Sequence, residues 1–183
     1  MVIFDFFRAL MKRTILATTI LALSVISVPS LAIADAGSFL KSLEGEWRGR
    51  GLYRFEGRNT DERLNCRVTN TYNEAAERLS LKGDCATAQF KNSIQGQLAK
   101  DGNNVSGAMM GTLDGSRMTK SMGSIKGNQL VVQAYFVDNA TGTLYRSQQI
   151  IRKTGKGFEA DFYWYDNKLG KFTKSGNVKF TSK

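Results

Sequence analysis

The stretch Gly45-Glu-Trp-Arg-Gly-Arg-Gly-Leu-Tyr-Arg-Phe55 alternates between two kinds of side chain. Its odd positions carry aromatic rings or glycine, whereas its even positions are mostly charged. Successive side chains of a β-strand point to opposite faces of the sheet, so this pattern predicts a strand with one buried and one solvated face. The solvated face is expected to be rich in arginine.

Similar alternating runs fill the rest of the chain, and turn-forming segments such as Gly102-Asn103, Asp114-Gly115 and Gly127-Asn128 separate them. Such turns join neighbouring antiparallel strands into hairpins. We predict an all-β fold, an antiparallel up-and-down β-barrel of about ten strands, because closure leaves no exposed strand edge. Two sandwiched sheets are the main alternative. The predicted strands are 45–55, 62–73, 77–87, 90–99, 104–112, 116–125, 129–138, 143–153, 157–165 and 171–181.

The N-terminal residues have the three parts of a secretory signal peptide. Lys12-Arg13 precedes the apolar run Thr14–Val28, and Ala32-Ile33-Ala34 fits the small-x-small pattern of a cleavage site. A helix needs about 20 apolar residues to span a bilayer, so this run is too short. We predict cleavage after residue 34, with Met11 as an alternative start, a periplasmic or secreted location, and no transmembrane span in the mature chain. The predicted parts are a signal peptide (1–34), a lead-in with a helical turn over 36–43 (35–44) and a barrel domain (45–183).

The amino-acid composition excludes several kinds of catalytic and metal site. The chain contains no histidine, which rules out Ser-His-Asp and Cys-His catalysis, histidine-ligated zinc and haem with a proximal histidine. Two cysteines cannot form a four-thiolate metal site. The carboxylates are scattered, without a pairing that favours acid–base catalysis. We therefore predict no catalytic residues, no metal and no cofactor, and a histidine-free enzyme acting on an envelope polymer is a lesser alternative.

The two cysteines test the register of the second and third predicted strands. If the loop between these strands is centred on residues 74–77, Cys66 lies opposite Cys85 on the inner face. Directly opposed residues of an antiparallel pair have Cα atoms about 4.5–5.5 Å apart, which is within disulfide range. We predict a structural Cys66–Cys85 disulfide, as expected for an exported protein.

The predicted inner face places large rings beside small residues, an arrangement that either fills a barrel or leaves a cavity for a ligand. We expect a non-catalytic binding protein whose partner is a small apolar or amphipathic ligand. The walls of this site are predicted to be Trp47, Tyr53, Phe55, Phe136, Phe162 and Trp164.

Positive charge is concentrated on the outer face of the first two predicted strands. The chain has a net charge of +10, and the predicted signal peptide carries three cations and one carboxylate, which leaves about +8 on the mature domain. One interpretation is a solvated barrel wall. The functional alternative is an envelope-associated protein that binds an anionic polysaccharide or lipid through this face, with no specific nucleic acid expected. The predicted anion-binding residues are Arg48, Arg50, Arg54, Arg63 and Arg67.

The segment Leu43-Glu-Gly-Glu-Trp-Arg-Gly-Arg-Gly51 resembles the Gly-x-Trp motif that opens the first strand of calycin barrels. This superfamily includes the lipocalins, fatty-acid-binding proteins, avidins and nitrobindin-like proteins, and the Gly-x-Trp-x-Gly-x-Gly form is most similar to the ten-stranded nitrobindin-like branch. The resemblance implies a ligand-holding barrel in which Trp47 closes one end beneath Arg152 or Lys179. The haem-binding members of that branch use a histidine, so the resemblance does not carry haem binding to this chain.

Overall fold

The described part of the protein consists of ten antiparallel strands and one short helix. A computed structural model describes residues 35–54, 59–89, 91–111, 117–137 and 141–183. The predicted signal peptide and Phe55 lie outside the described residues. The elements are α1 Ala36–Lys41, β1 Gly45–Tyr53, β2 Glu62–Asn73, β3 Arg78–Ala86, β4 Lys91–Asp101, β5 Asn104–Gly111, β6 Arg117–Lys126, β7 Gln129–Val137, β8 Leu144–Thr154, β9 Gly157–Asp166 and β10 Lys171–Ser182.

The strands close into a barrel because β1 pairs with strands on both sides. Trp47 of β1 lies opposite Val68 of β2 and opposite Ser182 of β10. Strands β2 to β9 each pair with the strands before and after them in the sequence, and β10 pairs with β9 and β1, so the order around the barrel follows the chain. The predicted up-and-down barrel is confirmed, and the sandwich alternative is wrong. The ten predicted strands agree with the observed ones to within two residues at each boundary.

The predicted register of β2 and β3 and the predicted disulfide are both confirmed. Cys66 lies opposite Cys85 and is bonded to it. The same register places Val68 opposite Gly83 and therefore holds the two strands over their whole length. Cys66 is buried, so the disulfide belongs to the inner face, as the alternation predicts.

The inner face holds the core of the barrel. Leu130, Val132 and Val178 are fully buried there. Glycine is needed where two strands approach closely on this face: a Cβ atom on Gly51 would lie 1.9 Å from the backbone oxygen of Asn177. A glycine inside a strand is typical of such a close approach of two backbones.

Helix α1 lies within the helical turn that the sequence predicts over 36–43. Its N-cap is Asp35, whose carboxylate accepts a hydrogen bond from the backbone N–H of Ser38 at 3.2 Å. Phe39, Leu40 and Leu43 are buried, and α1 contacts β3, β4 and β6. The helix therefore covers one end of the barrel with apolar side chains.

Candidate binding sites

The two ends of the barrel differ in how the strands are connected. The end that carries α1 is called the helix end, and its four connections contain two to four residues each: 74–77, 102–103, 127–128 and 155–156. The opposite end is called the loop end, and its five connections contain four to eight residues each: 54–61, 87–90, 112–116, 138–143 and 167–170. Ligand sites of β-barrels occur in their mouths. Because α1 covers the helix end, the loop end is the candidate mouth.

Trp47 is part of the closed helix end. Its indole Nε1–H donates to the backbone oxygen of Leu43 at 2.9 Å, and the same oxygen accepts from Asn70 Nδ2 at 2.8 Å. The ring meets Phe158 edge to face, with 5.1 Å between the centroids. Phe158 in turn stacks on Phe180 at 4.5 Å. Trp47 therefore anchors the segment that follows α1, and it lies at the opposite end from the candidate mouth.

Four of the six predicted wall residues come together towards the loop end. Tyr53 packs edge to face on Phe162, with 5.8 Å between the centroids, and Phe136 packs at a tilt on Trp164 at 6.0 Å. Tyr53 and Phe136 are buried, whereas Phe162 and Trp164 are half-buried. Phe162 and Trp164 are two residues apart on β9 and therefore share a face, which joins the two ring pairs into one wall.

A row of small side chains adjoins Trp164 on the inner face. Moving from β9 to β5, the register partners are Trp164, Ser147, Ala134, Ser121 and Gly107 in turn. Directly opposed residues have Cβ atoms about 4.5–5.5 Å apart, so the side chains from Trp164 to Ser121 are neighbours on this face, and Gly107 adds no side chain at the end of the row. The two serines were not predicted as site residues from the sequence. The alternation along β8 places Ser147 on the inner face, and this position could have indicated it.

Two neighbouring polar groups of this row are buried without a hydrogen-bond partner among the residues that the structure describes. They are the hydroxyl oxygen of Ser147 and the indole Nε1 of Trp164, and they are called the Ser147–Trp164 pair. Ser147 is 6% exposed. Most buried polar groups in proteins are hydrogen-bonded, so two adjacent exceptions on one face need a physical explanation.

A buried carboxylate lies on the outer wall between β8, β9 and β10. Asp161 accepts hydrogen bonds from Arg152, from Lys174 at 2.7 Å and from Asn177 at 2.8 Å. Burial by itself raises the pKa of Asp161, but the hydrogen bonds from Lys174, Arg152 and Asn177 outweigh burial and lower that pKa to about 2. Asp161 therefore remains ionised near neutral pH and joins three strands. The calycin resemblance implies that Arg152 or Lys179 covers Trp47. In the structure Arg152 forms an ion pair with Asp161, and Lys179 forms one with Glu159 of β9.

Neither a metal centre nor a spanning helix is found in the described part of the chain. Among residues 35–54, 59–89, 91–111, 117–137 and 141–183, no group of three or more aspartates, glutamates or cysteines is placed to hold a metal ion. None of the helical residues in these ranges belongs to a segment with the length and hydropathy of a bilayer-spanning helix.

The outer wall of β1, β2 and β3 contains a groove of about 750 Å³. Four cations line it, Arg48, Arg67, Lys82 and Lys183, and they define what is called the basic groove. Glu46 also lines the groove and forms an ion pair with Lys183 at 3.0 Å. Arg48, Arg67 and Lys82 have no ion-pair partner among the described residues, so the groove has an excess of positive charge.

The structure places the five predicted anion-binding arginines in three different situations. Arg48 and Arg67 are register partners inside the basic groove. Arg50 and Arg63 are exposed on the same wall, outside the lining of the groove. Arg54 forms an ion pair with Asp61 at 2.8 Å.

The two lysines that line the basic groove were not among the anion-binding residues predicted from the sequence. Lys82 lies opposite Thr69, which the predicted register of β2 and β3 already implies. Lys183 follows β10, whose pairing with β1 brings it to the groove.

These features define a closed ten-stranded antiparallel β-barrel with an aromatic inner wall and a basic outer groove. No known protein family and no curated protein matches this sequence. Among solved structures, the chain is similar to Rv2717c from M. tuberculosis, with a TM-score of 0.60 and 13% sequence identity. The similarity covers 82% of this chain and 99% of that chain. At this identity the likeness shows a shared fold alone.

Proposed function

We propose that this chain is an exported, non-catalytic binding protein with a calycin-like barrel, which holds a small amphipathic ligand at the loop end of the lumen. The observation that carries the proposal is the Ser147–Trp164 pair, two adjacent buried polar groups that lie beside aromatic rings and have no hydrogen-bond partner in the described part of the chain. The longer connections at the loop end and the cover that α1 forms at the helix end support the same location. The Cys66–Cys85 disulfide is compatible with the periplasm or the extracellular space.

The chemistry of the wall favours an amphipathic ligand over a pure hydrocarbon. A buried donor without an acceptor costs about 1–3 kcal/mol. One ligand oxygen between Ser147 and Trp164 would accept from both groups and recover that free energy. An apolar chain would pack on the rings of Phe136 and Phe162, where burial contributes about 25 cal/mol per Å². Because both polar atoms are sealed from solvent, the Trp164 ring has to move when the ligand enters.

The two tryptophans lie at opposite ends of the barrel, so fluorescence can locate the ligand. In Trp47→Phe, Trp164 is the sole tryptophan. The uncharged dye N-phenyl-1-naphthylamine should bind saturably and quench the Trp164 emission by energy transfer. In the matched variant Trp164→Phe, the remaining Trp47 should be quenched much less. Stronger quenching of Trp47, or dye binding that does not saturate, would count against a site at the loop end.

Displacement of the dye by two matched compounds tests the polar part of the proposal. Nonane and 2-nonanone have the same chain length, but only the ketone carries an acceptor. The ketone should displace the dye at about tenfold lower concentration, as expected for about 1.4 kcal/mol of hydrogen bonding. The advantage should become smaller in Ser147→Ala, because Trp164 alone then donates to the ketone oxygen. Equal displacement by both compounds would contradict a polar subsite at the Ser147–Trp164 pair.

A further inference from the structure

The basic groove brings two positively charged side chains together, and this arrangement does not stabilise the barrel. Arg48 and Arg67 are register partners on adjacent strands, so their Cβ atoms are about 4.5–5.5 Å apart. Like charges directly opposite each other destabilise a sheet. Neither arginine has an ion-pair partner among the described residues, and both side chains are exposed. An anionic group placed between the two guanidinium groups would convert this repulsion into attraction, since each guanidinium can form a bidentate contact.

Positive charge continues from Arg48 and Arg67 in two directions. Lys82 lies one strand further, two residues from Asp84, which is the register partner of Arg67 and forms an ion pair with Lys91 at 3.1 Å. Arg50 lies two residues from Arg48 along β1, or about 7 Å at the rise of a strand. Arg50 is also the register partner of Lys179 on β10. Lys179 forms an ion pair with Glu159, so the cations that are available lie on β1, β2 and β3, and their spacing matches a ligand that carries several anionic groups.

The shape and the other lining residues select one class of polyanion. The groove is concave, so a flat lipid surface cannot reach its floor. Single-stranded nucleic acid is bound through aromatic side chains on which its bases stack. Trp47, the one aromatic residue that lines the groove, points inward and packs on Phe158. The remaining polar lining is hydroxyl-bearing and suits the hydroxyl groups of sugars; it consists of Thr69, Thr71 and Ser80.

We propose that the basic groove is a binding site for an acidic polysaccharide, separate from the lumenal site. Arg48 and Arg67 would hold one carboxylate or sulfate group, and Lys82 would contact the next one along the polymer. The threonine and serine hydroxyls would hydrogen-bond to the sugar rings between the anionic groups. The role of this groove does not depend on the lumenal ligand, because its charged side chains point outward from the barrel.

The test compares two triple variants with the same change in net charge. The first removes the groove cations (Arg48→Gln, Arg67→Gln and Lys82→Gln). The second removes three exposed lysines outside the groove (Lys126→Gln, Lys153→Gln and Lys156→Gln). Affinity for polygalacturonate is measured by calorimetry, with dextran as the uncharged polymer, phosphatidylglycerol vesicles as the lipid surface and an oligothymidylate as the nucleic acid.

The groove triple should weaken polygalacturonate binding by about tenfold or more, and the control triple by less than about threefold. Arg48→Lys with Arg67→Lys keeps the charge but loses the bidentate contact, so an intermediate loss is expected. The near-UV circular dichroism spectrum should be unchanged in every variant, which shows that the barrel is intact.

Three results would overturn the proposal. Equal losses in both triples would mean that net charge alone attracts the polymer. Tighter binding to the vesicles or to the oligothymidylate would assign the groove to another class of ligand. Absence of binding to polygalacturonate would remove the site. The integrity of the barrel is judged by near-UV circular dichroism and not by dye binding, so the groove can be tested even if the lumenal proposal fails.

Discussion

Replacing Ser147 by alanine should stabilise the ligand-free barrel and weaken ligand binding at the same time. Most substitutions at buried positions destabilise a protein. Ser147 is an exception in this structure, because its hydroxyl is buried and none of the described residues forms a hydrogen bond with it. Alanine removes this hydroxyl and keeps the Cβ atom that packs in the row between Ala134 and Trp164.

The expected change in the free energy of unfolding combines a gain from removing the unsatisfied hydroxyl with a smaller cost from the cavity that it leaves. A buried polar group without a partner costs about 1–3 kcal/mol, which alanine would relieve. The removed oxygen leaves a small cavity, and at about 24 cal/mol per Å³ its penalty is a few tenths of a kcal/mol. Ser147→Ala should therefore raise the free energy of unfolding by about 1–2 kcal/mol.

Ser121 provides a matched control in the same row. It is fully buried, and its side chain has an interaction partner. Ser121→Ala removes the same atom from the same face, so it should lower the free energy of unfolding by about 1 kcal/mol. The opposite signs separate the effect of an unsatisfied hydroxyl from a general effect of losing a serine.

Urea unfolding of the oxidised protein, followed by near-UV circular dichroism, measures both variants. The midpoint should rise for Ser147→Ala and fall for Ser121→Ala, with unchanged slopes. The ketone displacement assay should show weaker binding for Ser147→Ala only. If Ser147→Ala lowered stability by 1 kcal/mol or more, its hydroxyl would have a partner, and the physical basis of the proposed site would be lost.

Three further predictions concern the stability of the barrel. Removing the disulfide with Cys66→Ala and Cys85→Ala should lower the free energy of unfolding by about 3 kcal/mol in the chain-entropy model, and titration of the native protein should find no free thiol. The pKa of Asp161 in the folded protein, about 2, lies below its ordinary 3.8, so its contribution of about 2 kcal/mol is complete above pH 4 and is lost as the pH falls from about 4 to about 2. Urea unfolding between pH 5 and pH 2 should show this loss, and Asp161→Asn should abolish that part of the pH dependence. Arg48→Thr relieves the repulsion with Arg67 and leaves Arg67 opposite Asp84, so it should raise the free energy of unfolding by about 0.2–1 kcal/mol, and an unchanged or lower midpoint would contradict the cost assigned to the pair.

The alternation of the sequence was sufficient to predict the strands and one inter-strand register. Side-chain direction repeats every two residues in a strand, so a single hairpin loop fixes which residues face each other. For this reason Cys66 and Cys85 could be paired from the position of the 74–77 loop alone. The same rule at the two-residue turn 155–156 would have placed Ser147 opposite Trp164.

The candidate site was predictable only in part. The inward direction of Tyr53, Phe136, Phe162 and Trp164 follows from the alternation, and the structure joins these rings into one wall. Trp47 follows the same alternation, but it lies at the other end because α1 and the residues after it occupy the helix end. Distance along the barrel axis depends on where each strand starts, which the alternation does not contain.

The sequence by itself determined the class of fold, the strand boundaries, the disulfide and the faces on which rings and arginines lie, because these depend on contacts within strands and hairpins. Only the tertiary structure decided that β1 pairs with β10, that Lys82 and Lys183 join two arginines in one groove, and that Ser147 and Trp164 have no hydrogen-bond partner within the described ranges. The physical reason is that closure depends on the accumulated twist and stagger of all ten strands. Whether a buried group finds a partner depends in turn on every side chain that closure brings around it.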